Sequence, residues 1–208
     1  MRPERFLVAF EDGRCLLTPE KLLNLHNVVE TVLEKGIEGD FVELGCFKGG
    51  SAAYINNIIQ RHDSDAGLWL YDSFSGLPEW TVPDHGSHQI VAPGQIAATQ
   101  NDVVTTFEVT DVSMENVEII PGWFEDLEPD DLPSQIAFAH LDGDLYRSIR
   151  VSLELIYGRM SDGAVCLIDD YNAEIIPGCK RAVDEFMANC GEEVVPFDGS
   201  THAYFVKV

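Results

Sequence analysis

The sequence predicts a doubly wound α/β domain: a mostly parallel seven-stranded sheet covered by helices, with a C-terminal antiparallel hairpin. Three observations carry this. Short apolar runs alternate with longer segments of helical period, the pattern of parallel strands buried on both faces. Glycines and carboxylates collect where those apolar runs end. The last two runs are joined by Asp198-Gly-Ser-Thr-His202, a loop short enough to close a hairpin.

Thr18-Pro19-Glu20 is a helix start, with an N-cap hydroxyl, proline at the first helical position and an acid in the first turn. Leu22, Leu25, Val28, Val29 and Val32 recur at helical spacing and Gly36 ends the run, so residues 1–36 form an N-terminal helical segment. Asp40-Phe-Val-Glu-Leu44 is the first strand; it runs into Gly45-Cys-Phe-Lys-Gly-Gly50, and residues 51–60 read as helix. Leu68-Trp-Leu-Tyr71 is the second strand. Residues 73–112 are irregular, with helical pattern only around 94–107. Val117-Glu-Ile-Ile120, residues 136–141 and Ala164-Val-Cys-Leu-Ile168 are the third to fifth strands, with helices expected at 148–160 and 180–189. Residues 193–197 and 203–208 form the hairpin. Everything from 1 to 208 fits one domain.

Bulk properties remove several classes of function. With 208 residues, 45% of them apolar, the chain can bury a core without disulfides or structural metals. No run approaches the length of a membrane span, and the N-terminal apolar stretch is too short for a signal peptide. Cys15, Cys46, Cys166, Cys179 and Cys190 form no CxxC pair and read as reduced thiols, which points to the cytoplasm. The 36 acidic against 13 basic residues give a formal charge of −23. Such a surface repels phosphate backbones and anionic membranes, so a small molecule is the expected partner, with no nucleic acid and no membrane. A homo-oligomer is compatible with all of this.

In an open α/β sheet ligands bind beyond the carboxyl ends of the strands. Here those ends carry Glu43 and the glycines, Asp72, Asp142 with Asp144, and Asp169 with Asp170. Any one of these acids could be a helix cap or a solvated loop residue; the set as a whole points to a site. Glu43-x-Gly45-x-x-x-Gly49-Gly50 is not the dinucleotide fingerprint, because Phe47 stands where the second glycine belongs, and no GK[ST] follows to make a P-loop. A glycine turn that admits a ligand without cradling a pyrophosphate suits S-adenosylmethionine, with Asp72 placed for the ribose hydroxyls. Asp142, Asp169 and Asp170 would repel one another unless a cation sat among them, and all-oxygen ligands suit Mg²⁺, Ca²⁺ or Mn²⁺. Their bland alternative is strand-end capping.

Five blocks together resemble the macrocin O-methyltransferase (TylF-type) family. They are residues 39–51, Tyr71-Asp-Ser-Phe-Ser-Gly-Leu-Pro78, Leu141-Asp-Gly-Asp-Leu-Tyr146, Ile168-Asp-Asp-Tyr171 and Gly178-Cys-Lys-Arg-Ala-Val-Asp-Glu-Phe186, all in the family's order. The resemblance implies a Rossmann-like class I methyltransferase that moves a methyl group from S-adenosyl-L-methionine to a hydroxyl of a natural product, often a sugar. It also implies Mg²⁺ on Asp142, Asp169 and Asp170, and a lid with acceptor contacts in residues 80–111. Catechol-type methyltransferases share the layout but normally end the ligand set with Asn, where this chain has Asp170. Glu125-Asp-Leu-Glu-Pro129 departs from the family's usual Asp-Thr-Leu-Pro.

The chemistry requires a more nucleophilic hydroxyl aligned with the methyl group. Asp142 is the expected ligand beside both cofactor and ion, Asp144 the candidate base and His140 the reserve base. Asp144 could instead cap a helix starting at Leu145, and His140 could be a hydrogen-bonded core histidine. Glu43, Gly45, Gly49, Ser51, Asp72, Ser73, Trp123 and Asp142 are the expected cofactor contacts; Trp123 and Phe124 could wall the adenine or simply pack into the core. His85 and His88, in the expected lid, could touch the acceptor or simply be exposed polar residues. The rival readings are a metal-dependent catechol or phenol O-methyltransferase and a non-catalytic ligand-binding protein on the same fold.

Overall fold

The structure is a computed structural model that describes residues 9–85 and 92–208. His88 and the first eight residues lie outside that range. Helix α1 (Pro19–Glu34) starts where the sequence places it: the Thr18 hydroxyl accepts from the Lys21 backbone N–H, and Gly36 takes the left-handed conformation beyond its end. Strands β1 (Asp40–Leu44), β2 (Leu68–Asp72), β3 (Val117–Pro121), β4 (Ile136–Leu141) and β5 (Met160–Ile168) run parallel. β6 (Val195–Pro196) and β7 (Ala203–Val206) form the hairpin, and β7 pairs antiparallel with β5. The spatial order is β3-β2-β1-β4-β5-β7-β6. Strand order therefore reverses between β1 and β4, and the crevice beyond their carboxyl ends is where a ligand belongs.

The remaining helices are α2 (Gly50–Arg61), α3 (Gln100–Thr110), α4 (Tyr146–Ile156) and α5 (Pro177–Met187). They cover both sheet faces and create two apolar layers. One gathers Leu25, Val29, Ile55, Ile58 and Phe107 over Phe41, Leu68 and Phe138; the other gathers Ile149, Leu153, Ala182 and Val183 over Val42, Leu141 and Ile168. Every residue of β4 is buried, as expected of a central parallel strand.

Several boundaries differ from the sequence reading for identifiable reasons. α3 begins at Gln100, not near residue 94, because Thr99 and Asp102 form a reciprocal capping box there. α4 starts two residues before 148 and ends at Ile156, with a 3₁₀ turn (Tyr157–Arg159) filling the rest. α5 starts at Pro177, which the rule for proline in a first turn would have found. β5 extends back to Met160, beyond the apolar run, and the sixth strand shrinks to two residues. Asp144 is not a helix cap. It sits at φ +57 one residue before the N-cap Leu145, and Asp84 from a distant turn accepts from the first-turn N–H of Tyr146 instead.

Candidate active site

One cleft runs along the carboxyl ends of β1, β2, β4 and β5 and holds most of the expected site residues. At one end lie Gly45, Ser51, Asp72, Ser73, Trp123, Phe124 and Glu125. At its acidic end lie Asp142, Asp144, Asp169 and Asp170. Segment 14–17 and Lys21 supply one side, and Leu77, Pro78 and Ile96 another.

Gly45 is the closest backbone approach in the cleft. It sits at φ +101, and a Cβ there would overlap the backbone carbonyl of Asp142, so the turn after β1 and the end of β4 touch directly. Asp72 organises the glycine loop from β2: its carboxylate accepts from the N–H groups of Phe47 and Phe74, each at 2.8 Å. Burial raises its pKa against the pull of those two donors. Each of its oxygens retains a second lone pair, so a ribose hydroxyl can still be received.

Three expected contacts stand back from the cleft. Glu43 and His140 are 0% exposed and hydrogen-bond each other at 2.8 Å beneath the cleft floor. Neither side chain lines the cleft: Glu43 is the buried partner of His140, and His140 is a core histidine rather than a cleft-facing base. Gly49 is buried at φ +81 at the start of α2, where a Cβ would press on Val103; it shapes the loop without lining the cleft.

The acidic end is a layered electrostatic system. Carboxylate oxygens of Asp142, Asp144 and Asp170 come within 4.8 Å of one another, a compact all-oxygen set. Asp169 adjoins them, but its own oxygens face elsewhere: Oδ1 meets His202 Nε2 at 2.5 Å, and Oδ2 accepts from Lys21 Nζ at 2.5 Å. The same ammonium donates to Asp170 Oδ1 at 3.0 Å. His140 Nε2 lies 3.9 Å from Asp169 Oδ1, too long for a hydrogen bond. Oxygen and nitrogen atoms of Asp169, His140 and His202 also fall within 4.8 Å of one another, but the short His202 contact makes this a hydrogen-bonded support.

The pKa directions follow from that layering. Burial raises Asp142 and Asp144, and their neighbours add to it: Asp169 beside Asp142, Asp170 beside Asp144. Asp170 is likewise raised by burial and by Asp169, against Lys21. Burial also opposes ionisation of Asp169, yet His140, His202 and Lys21 hold it well below the usual carboxylate range. Burial would lower Lys21, but Asp169 and Asp170 raise it, so it remains an ammonium. For His140, burial is outweighed by Asp169 and Glu43, which push it up to about 10.

This sets a pH dependence. A histidine raised above its unfolded value of about 6.5 contributes stability that is complete below that pH and lost as pH climbs towards 10. The raised carboxylates act with the same sign, since the folded state retains protons that the unfolded chain gives up. In EDTA the melting temperature should fall as pH rises from about 6.5 to 10. A flat or rising profile over that window would contradict the arrangement.

Residues 12–201 match the model of the macrocin O-methyltransferase (TylF) family. The chain belongs to that family. It is 34% identical over 188 residues to 8-demethyl-8-(2,3-dimethoxy-alpha-L-rhamnosyl)-tetracenomycin-C 4'-O-methyltransferase of Streptomyces olivaceus, covering 87% of this chain and 71% of that protein. It is 32% identical over 186 residues to demethyldecarbamoylnovobiocin O-methyltransferase of Streptomyces niveus, covering 86% and 70% respectively. Among solved structures, the O-methyltransferase NovP superposes with a TM-score of 0.84 at 30% identity, over 94% of this chain and 82% of that one. As a family member the chain is an S-adenosylmethionine-dependent O-methyltransferase.

Against the family expectation, the structure adds residues that drew no attention in the sequence. Lys21 occupies the first turn of α1, where a positive charge opposes the helix dipole; that misfit was the available signal that it pairs with acids elsewhere. His202, in the hairpin loop, and Asp84, in the 3₁₀ turn Val82–Asp84, became visible only through tertiary contacts. No described helix is long and apolar enough to cross a membrane.

Proposed function

We propose that the chain methylates a sugar hydroxyl of a small natural product, using a divalent cation, Mg²⁺, held by its strand-end aspartates. The observation that carries this is the continuity of one cleft from the glycine turn and Asp72 to the acidic cluster. Such a cleft can hold a methyl donor and a hydroxyl side by side. The S. olivaceus relative is named as the 4'-O-methyltransferase of a rhamnosyl-bearing tetracenomycin, which supports a glycoside as the acceptor class.

Within this reading the cofactor rests on Gly45, Ser51, Asp72 and Ser73, with Trp123 and Phe124 against the adenine. The donor set fits the ion: hard carboxylate oxygens, mutually repelling and raised in pKa, call for positive charge beyond the one Lys21 supplies. Asp142 and Asp170 would hold it, with Asp169 available once its Oδ2 is shared with or released by Lys21. When bound, the cation lowers the pKa of the acceptor hydroxyl and fixes its position. Asp144, facing the cleft with its proton affinity raised by burial, receives the hydroxyl proton. Leu77, Pro78 and Ile96 line the side of the cleft assigned here to the acceptor.

The deciding experiment is methyl transfer from S-adenosylmethionine to a panel of rhamnosyl glycosides, with catechol as the comparison acceptor. Transfer to a glycoside is expected, and Asp72→Ala should weaken S-adenosylhomocysteine binding roughly ten- to hundredfold, the loss of a charged acceptor worth about 1.5–3 kcal/mol. Turnover of catechol alone would replace the glycoside with a phenol; unchanged cofactor affinity in Asp72→Ala would remove Asp72 from the ribose.

A further inference from the structure

We infer that Asp84 is a positioning residue for the loop Asp142–Asp144, which it reaches from the far wall of the cleft. This rests on the reading of that loop as ion-binding and proton-accepting.

β4 ends at Leu141, and within four residues the chain must present Asp142, turn through Asp144 at φ +57 and enter α4. A non-glycine residue at that φ is disfavoured, so the turn holds only if its exit is fixed. The N-cap Leu145 offers no side-chain acceptor to the opening N–H groups of α4. Asp84 supplies it: Oδ1 accepts from the Tyr146 N–H at 2.8 Å. Its other oxygen is anchored to Thr81, accepting from the backbone N–H at 2.8 Å and the hydroxyl at 2.6 Å.

The carboxylate is 1% exposed, yet its hydrogen bonds do not include a cation. Its charge is placed between two helix starts. Gly178, in the first turn of α5, lies so close that a Cβ there would overlap Asp84, and α5 too has no side-chain cap. Two positive dipole ends thus converge on one anion. Only glycine at 178 leaves room for it. The turn bearing Asp84 belongs to the segment whose Leu77, Pro78 and Ile96 line the cleft, and that segment is closed at its base by Leu77 and Gln95. Asp84 therefore ties the acceptor-side wall to the loop bearing Asp142 and Asp144.

The test is calorimetry of the full chain with Mg²⁺ alone and, separately, with S-adenosylhomocysteine. Asp84→Ala should weaken Mg²⁺ at least tenfold while cofactor affinity stays within twofold, a split that general destabilisation would not produce. Asp84→Asn, whose Oδ1 can still accept from Tyr146 but whose amide cannot accept from the Thr81 N–H, should fall between wild type and Asp84→Ala. Mg²⁺ affinity within twofold of wild type in Asp84→Ala overturns the inference. If Asp84→Ala does not fold, Thr81→Val decides: it frees one anchor and should weaken Mg²⁺ threefold or more, and no change overturns the inference. Wild type that binds no Mg²⁺ defeats the ion reading instead. Amide exchange at residues 145–148 then tests Asp84 by itself: tenfold faster exchange in the variant is expected, and unchanged exchange overturns it.

Discussion

Asp144→Asn and Asp170→Ala should each reduce methyl transfer by two to four orders of magnitude while leaving S-adenosylhomocysteine affinity within about threefold. The size follows from what a positioned proton acceptor or an ion-holding carboxylate contributes to such a reaction. The separation follows from geometry: both acids belong to the ends of β4 and β5, whereas Asp72 and its two N–H donors belong to β2 and the glycine loop. Asparagine is the informative change at 144, because it tolerates the left-handed backbone there and removes only the charge. Removing Asp170 also relieves repulsion on Asp144, so metal-free stability should hold or rise. Chelation of wild type should reproduce the Asp170→Ala phenotype, and added Mg²⁺ should rescue wild type alone. Full turnover of an accepted glycoside in excess EDTA would show that these acids do not work through an ion.

The sheet was legible because parallel strands buried on both faces leave continuous apolar runs, and because Gly45, Asp72, Asp142 and Asp169 mark where those runs stop. Edges were less legible. Met160 to Gly163 extends β5 through the partly exposed Ser161, Asp162 and Gly163, and Val195–Pro196 pairs for only two residues, so neither has a burial pattern to read. The irregular stretch after β2 blurred the start of α3, which is set by a capping box rather than by a strong apolar period.

At the site, the strand-end acids could be located from sequence but not their partners. A sequence gives no distance between Lys21 and Asp169, 148 positions apart, or between Asp84 and Tyr146, 62 apart. For the same reason Glu43 and His140 looked like site residues. Both stand at strand ends, and only the register of β1 against β4 turns them toward each other under the floor.

Gly45→Ala should behave unlike every acid variant, losing cofactor and ion binding together. The added Cβ would overlap the Asp142 carbonyl, and the backbone at φ +101 is strained for any side chain. Strain and overlap each cost roughly 1–3 kcal/mol, so a total of about 4 kcal/mol is expected. For a domain of this size that lowers the melting temperature by about 8–16 °C, a substantial part of the stability of a typical domain without unfolding it. The overlap can be relieved only by moving the β1 turn or the end of β4. The first shift displaces the turn proposed to carry the cofactor, and the second displaces Asp142, which is held by its N–H bond to the Leu44 carbonyl. Calorimetry on the folded variant should therefore show S-adenosylhomocysteine weakened by more than a hundredfold and Mg²⁺ weakened alongside it. Retention of either affinity at the wild-type level would mean that the two ends of the cleft are not joined through this contact.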